Sequence, residues 1–228
     1  LRLTADAAYV HMTSNNTIEG TQFKVLPDVG DAPLVSDTSS DMFSRPIDVN
    51  RHALIYAGAQ KNIGPAGVTL VVIREDMLGR AAGKKALLPT MLNYAVHAEN
   101  HSLYNTPPTF AIYALGLVVK WLQAQGGLEA MARINELKAA KVYAEIDRTG
   151  FYRGTAAKAD RSMMNATFRL PNEELAKRFL AESTAAGLDG LEGHRSVGGV
   201  RVSMYNAFPE AGVDRLVSFM NEFERRYG

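Results

Sequence analysis

Two apolar runs that flank a small-residue turn constrain this chain most. Leu54-Ile55-Tyr56-Ala57 breaks at Gly58 into a turn closed by Gly64-Pro65, and 68–73 (VTLVVI), an unbroken run of β-branched residues and leucine, follows it. Short runs rich in β-branched residues and bounded by glycine and proline read as strands, the second as one buried on both faces. The turn between them presents Lys61. A lysine held between two buried strands has a desolvated stem. Its ammonium must find a partner, or lose its proton and act as a nucleophile towards a carbonyl. The plainer alternative is a partly exposed lysine in an ordinary loop.

Upstream, 7–11 reads as a buried strand, 13–17 as a polar turn, and 33–37 as a short apolar run that ends on Asp37. Four strands with polar residues gathered at their ends suit one wing of an α/β sheet, where ligands sit beyond the strand termini. Downstream, 76–83 reads as a loop or short helix. The stretch 89–108, rich in His, Asn, Tyr and Thr, reads as a long irregular loop of the kind that is functional or lies at an interface. An almost wholly apolar helix then runs from Thr109 or Phe110 to Leu122, and Trp121 reads as core.

Gly126-Gly127 marks the expected boundary between a large domain, 1–125, and a small α+β domain, 126–228. In the latter, Leu128, Met131, Ile134, Leu137, Val142 and Ile146 recur at helical spacing. Met164, Ala166, Phe168 and Leu170 alternate with polar residues, as in a half-buried strand, and Asn172 is placed to cap a helix. Val200, Val202 and Met204 share a strand face that turns Arg201 to the other side, and Val213, Leu216, Met220 and Phe223 stripe a last helix.

The net charge of +1, from 25 basic and 24 acidic residues intermixed, gives no ground for a nucleic-acid or anionic-membrane partner. No run approaches the length of a membrane span. Cysteine is absent, which excludes a disulfide framework and a thiolate metal site and suits a cytoplasmic protein. His11, His52, His97 and His101 lack metal-ligand spacing and take structural or surface roles, so no metal is expected.

Asp37 and Lys61, on neighbouring strand ends, could meet in one crevice. Asp37 then forms a salt bridge or caps a turn, or the two hold a cofactor between them. Pyridoxal phosphate needs such a pair: a lysine for its aldehyde and an acid to keep its ring nitrogen protonated. His194-Arg195 lies in a glycine-rich turn just before Arg201. The three could receive a carboxylate and a more highly charged anion, or form a solvated basic turn.

The segments SNNTIEG (14–20), SDTSSDMFSRPIDV (36–49), YAGAQKNIGPAG (56–67), NTPPTF (105–110) and GHRSVGGVRVSMYNA (193–207) together resemble the phosphoserine aminotransferases, pyridoxal-phosphate enzymes of fold type I. The resemblance implies an α/β fold: the C-terminal part of a fold type I large domain plus a small α+β domain. It implies that Lys61 bonds the cofactor aldehyde and moves the substrate proton, and that Asp37 meets the ring nitrogen. Thr17 stands beside the ring oxygen and Gln60 contacts the phosphate. Asn105 and Thr106 reach the phosphate from the other subunit of a homodimer with shared sites. Arg201 grips the substrate α-carboxylate, with His194 and Arg195 near the distal anion. The implied reaction passes the amino group of glutamate to 3-phosphohydroxypyruvate in serine biosynthesis, with the related step of pyridoxine biosynthesis as a further role.

The chain opens at Leu1 without a methionine and enters a strand almost at once, which predicts a cut inside a domain. Members of the family carry a preceding stretch that supplies a glycine-arginine pair under the phosphate, a ring-stacking aromatic and a second substrate arginine. The alternatives are therefore a catalytically inert structural remnant and a fold type I aminotransferase for another small acid.

Overall fold

A computed structural model of the chain describes residues 2–82 and 87–228. In chain order it contains β1 (Val10–Thr13), β2 (Asn15–Asn16), β3 (Thr21–Gln22), β4 (Leu34–Asp37), β5 (Leu54–Gly58), β6 (Thr69–Ile73), α1 (Glu75–Ala82), α2 (Tyr94–Glu99), α3 (Thr109–Ala124), α4 (Gly127–Asp147), β7 (Arg153–Gly154), β8 (Asn165–Arg169), α5 (Glu173–Ala185), β9 (Val200–Ser203) and α6 (Glu210–Tyr227). These fall into two compact units. One comprises 1–13, 27–39 and 47–121; the other comprises 14–26, 40–46 and 122–228.

The first unit is built on a sheet in the order β1-β4-β5-β6. β1, β4 and β5 run parallel, while β6 returns antiparallel to β5. Along β4, Leu34 and Ser36 are buried and Val35 and Asp37 half-buried, so a two-residue alternation sends the aspartate to the more open face. β5 buries Leu54, Ile55 and Ala57.

Four expectations for this unit are corrected. The first strand runs Val10–Thr13 rather than 7–11, and of its residues only Met12 is buried, since β1 stands at the end of the sheet order among the described residues. β6 is not buried on both faces: among the described residues it pairs with β5 alone, and its residues are half-buried or exposed. β-branched content alone does not separate an edge from a centre. The 89–108 stretch is partly helical, with a 3-10 turn at Thr90–Leu92 and α2, whose first turn Asn93 caps by accepting the Ala95 N–H. Trp121 is 37% exposed rather than core, and Phe110 and Tyr113, also on α3, are 79% and 63% exposed. α3 thus carries an apolar face that the sheet does not cover. The reading of 76–83 resolves to α1, with Gly83 outside the described residues, as is Leu1.

In the second unit, β7, β8 and β9 form an antiparallel sheet with β8 central, and β2 and β3 form a separate hairpin. Val200, Val202, Met204, Phe168, Val213, Leu216, Met220 and Phe223 make the core, together with Tyr152 and Phe179. Phe179 meets Tyr152, Phe168, Phe219 and Phe223 edge-on, at centroid distances of 5.1–6.0 Å, a geometry that adds to simple area burial. Asn172 caps α5 through its side chain, accepting the Leu175 N–H at 2.9 Å.

β8 is buried on both faces, not one. Asn165 accepts from Asn15 at 3.0 Å and Thr167 donates to the Glu19 carbonyl at 2.9 Å, so the β2–β3 segment covers its polar side. The α4 stripe is also shifted. Leu137 is 48% exposed, whereas Lys138 is wholly buried. Its ammonium donates to the carbonyls of Met204, Tyr205, Asn206 and Phe208 at 2.9–3.4 Å. Burial pushes its pKa down to about 8, which still leaves the charge in place at neutrality.

Candidate active site

Parallel strands leave their carboxyl ends open to ligands, and two such ends are tied together here. Asp37 closes β4 and its Oδ1 accepts the Ser39 N–H at 2.9 Å. Ser39 Oγ in turn accepts the N–H of Gly58, the last residue of β5, at 3.0 Å. The Thr38 N–H adds a bond to the Tyr56 carbonyl at 2.9 Å.

From Gly58 the chain enters a helix-like turn in which Ile63 and Gly64 both donate to the Ala59 carbonyl. That turn carries Gln60, exposed, and Lys61, half-buried. Gly64 keeps the turn close to α3, since a Cβ there would stand 3.4 Å from Leu115 Cα. The acid therefore closes one strand and the lysine follows the end of the next, the two ends being tied by hydrogen bonds through the Asp37 and Ser39 side chains.

Tyr56 lies opposite Asp37 in the β4–β5 register. Burial, the negative charge of Asp37 and a hydrogen bond to it together push the phenol pKa up. The phenol oxygen is also 3.0 Å from His11 Nε2. Neither residue stood out in the sequence. Tyr56 reads there as part of an apolar run, and only the strand register reveals its neighbour.

Asn105 and Thr106 lie in the same unit, before α3, and are exposed; the Asn105 amide donates to the Thr106 carbonyl at 3.3 Å.

The second unit holds Thr17, His194, Arg195 and Arg201. Thr17 sits half-buried in the β2–β3 turn, which Asn16 braces by accepting the N–H groups of Ile18 and Glu19. Arg201 pairs with Thr167 in the sheet and lines a cavity of about 60 Å³ with Arg169, Thr155, Gly193 and Gly198. Arg201 Nε is buried and has no hydrogen-bond partner among the described residues. A buried charged donor in that state is costly unless an anion meets it.

Gly193 makes the cavity wall possible: a Cβ there would fall 2.1 Å from the Gly198 carbonyl oxygen. His194 bonds Ser196 Oγ through Nδ1 at 2.7 Å, and Arg195 is exposed. Both belong to the adjoining turn but do not line this cavity.

Among the described residues, no cluster suits a metal ion and no helix is long and apolar enough to cross a membrane. The chain is 56% identical over 223 residues to the phosphoserine aminotransferase of Lysinibacillus sphaericus (strain C3-41), which covers 97% of this chain and 61% of that protein. The solved phosphoserine aminotransferase from Bacillus circulans subsp. alkalophilus superposes with a TM-score of 0.96 at 52% identity, over 100% of this chain and 63% of that one. The pyridoxal-phosphate-bound enzyme of Trichomonas vaginalis superposes at 0.91 with 42% identity, over 96% and 62%. The chain thus spans about three fifths of the length of these relatives. Residues 2–216 match the family described as aminotransferase class-V. With its α/β sheet, its strand-end lysine and this match over most of its length, the chain belongs to the aminotransferase class-V family.

Proposed function

We propose that the protein is a phosphoserine aminotransferase, which uses pyridoxal phosphate to pass the amino group of glutamate to 3-phosphohydroxypyruvate. The observation that carries this reading is the tie between Asp37 and the Lys61 turn through Ser39 and Gly58. The residues present fit the cofactor: an acceptor carboxylate closes one strand, a primary amine follows the next, and both are half-buried. When bound, pyridoxal phosphate supplies an aldehyde and a protonated ring that draws electrons from the substrate α-carbon.

Lys61 holds the cofactor through its amine. With the cofactor bound, its Nζ would be the base that takes the proton from the substrate α-carbon and moves it between substrate and cofactor. Asp37 keeps the ring nitrogen protonated. Gln60 contacts the cofactor phosphate and Thr17 the ring oxygen. Arg201 binds the substrate α-carboxylate, the anion its unpartnered Nε calls for. His194 and Arg195 receive the distal phosphate or carboxylate.

The working form is a cytoplasmic homodimer in which Asn105 and Thr106 serve the partner's cofactor. The exposed apolar face of α3 and the exposure of both residues support that assembly.

Borohydride reduction of the cofactor-loaded protein, followed by peptide mapping, tests the reading. The pyridoxyl label is expected on Lys61, and a label elsewhere overturns the assignment.

A further inference from the structure

Side chains from both neighbours of β4 meet over it. His11 on β1 stands opposite Val35, and Tyr56 on β5 opposite Asp37. In a parallel ladder, paired residues and those two positions away share a face, so His11, Val35, Asp37 and Tyr56 all lie on one side of the sheet. His11 Nε2 reaches the Tyr56 hydroxyl at 3.0 Å, with the rings tilted by 33° at a centroid distance of 6.0 Å.

We propose that Tyr56 and His11 are positioning residues for Asp37: the Tyr56 hydroxyl donates to the Asp37 carboxylate while accepting the Nε2–H of His11, and the chain of bonds sets how the acid faces the cofactor ring nitrogen. This rests on the reading of Asp37 given above.

The polarity of the chain follows from the inventory of donors. An ionised carboxylate can only accept, so the phenol proton points to Asp37. The phenol oxygen then has only lone pairs left for the imidazole, so the His11 proton sits on Nε2. The rise in the Tyr56 pKa, caused first by burial and then by the Asp37 charge and a hydrogen bond to it, agrees with a phenol that keeps its proton. Asp37 Oδ1 is already held by the Ser39 N–H. A bond from Tyr56 therefore restrains the carboxyl rotation, as outer-layer partners do for groups that bind metals.

The test uses the whole protein, with four variants: Tyr56→Phe, His11→Phe, His11→Gln and Asp37→Asn. Three quantities are measured: the Kd of the apoprotein for pyridoxal phosphate, the absorbance maximum of the bound cofactor, and kcat and KM for glutamate. A lost hydrogen bond to a charged group corresponds to about tenfold. Tyr56→Phe should therefore raise the cofactor Kd and lower kcat by about tenfold each, shift the absorbance maximum, and leave KM within about twofold. His11→Phe should act in the same direction. His11→Gln, which keeps an N–H donor, should restore most of the loss, an outcome that a purely space-filling role does not give.

If Asp37→Asn weakens the cofactor while Tyr56→Phe and His11→Phe leave every readout within about twofold, the positioning role is wrong. A His11→Gln variant no better than His11→Phe overturns the donor assignment. If Asp37→Asn leaves cofactor binding unchanged, the reading of the site falls, and this inference falls with it.

Discussion

The ammonium of Lys138 lies 2.9 Å from the carbonyl oxygen of Tyr205, with no carboxylate needed to hold it. Three further carbonyls from the segment after β9 complete the set. A buried cation here organises backbone that would otherwise present several unsatisfied acceptors.

Replacing it with methionine, Lys138→Met, keeps most of the volume but strands those carbonyls. The expected loss is about 2–4 kcal/mol of unfolding free energy, measured by urea titration. A loss below about 1 kcal/mol would mean that the carbonyls find other donors.

Asp147 predicts an acid limb. The Arg161 guanidinium grips it by two bonds of 2.8 and 2.9 Å, Lys158 adds a third contact, and its pKa is held down to about 2. A folded-state pKa below the ordinary 3.8 means that this stabilisation is complete above that value and is lost as pH falls through about 2. Urea midpoints of the wild type and Asp147→Asn should therefore differ near neutrality and converge at about pH 2.

Gly20 offers a local test of the β2–β3 hairpin. Its φ is +70°, and a Cβ would meet Thr167 Oγ1 at 2.6 Å and the Asn165 carbonyl at 2.8 Å. Gly20→Ala should lower stability by about 1–3 kcal/mol through strain and displacement of β8. An unchanged melting temperature would contradict the packing described.

Arg201 and Arg195 should separate kinetically. Arg201→Lys breaks the forked grip on an α-carboxylate and should lower kcat/KM for glutamate and phosphoserine alike, by about a hundredfold. Arg195→Ala should damage phosphoserine far more than glutamate. Equal losses for both substrates in Arg195→Ala would remove the distal-anion role.

Much of this was legible before any coordinates. The strand-end aspartate and the glycine-framed lysine announce themselves by residue type and order, and the helix-strand alternation of the second unit follows its apolar spacing. What escaped depended on distant partners. Leu137 and Lys138 exchange their expected places because the carbonyls that receive the ammonium come from 204–208. The β6 run reads as buried because its residue types cannot tell an edge strand from a central one. The α3 helix reads as core because its residues are apolar all round, although the described chain covers only part of it. His11 and Tyr56 stayed invisible because their meeting requires knowing which strands are neighbours.

The pairing of Asp37 with Tyr56 also determines which insertions and deletions the site can survive. Side chains along a strand switch faces at every step. Gaining or losing one residue inside β4 would leave a plausible sheet while sending the acid to the opposite side. Added length between β3 and β4, by contrast, can be absorbed in the connecting segment 23–33 without touching that parity. Among natural variants of this chain, length changes should accumulate in the connections and be purged from the strand itself.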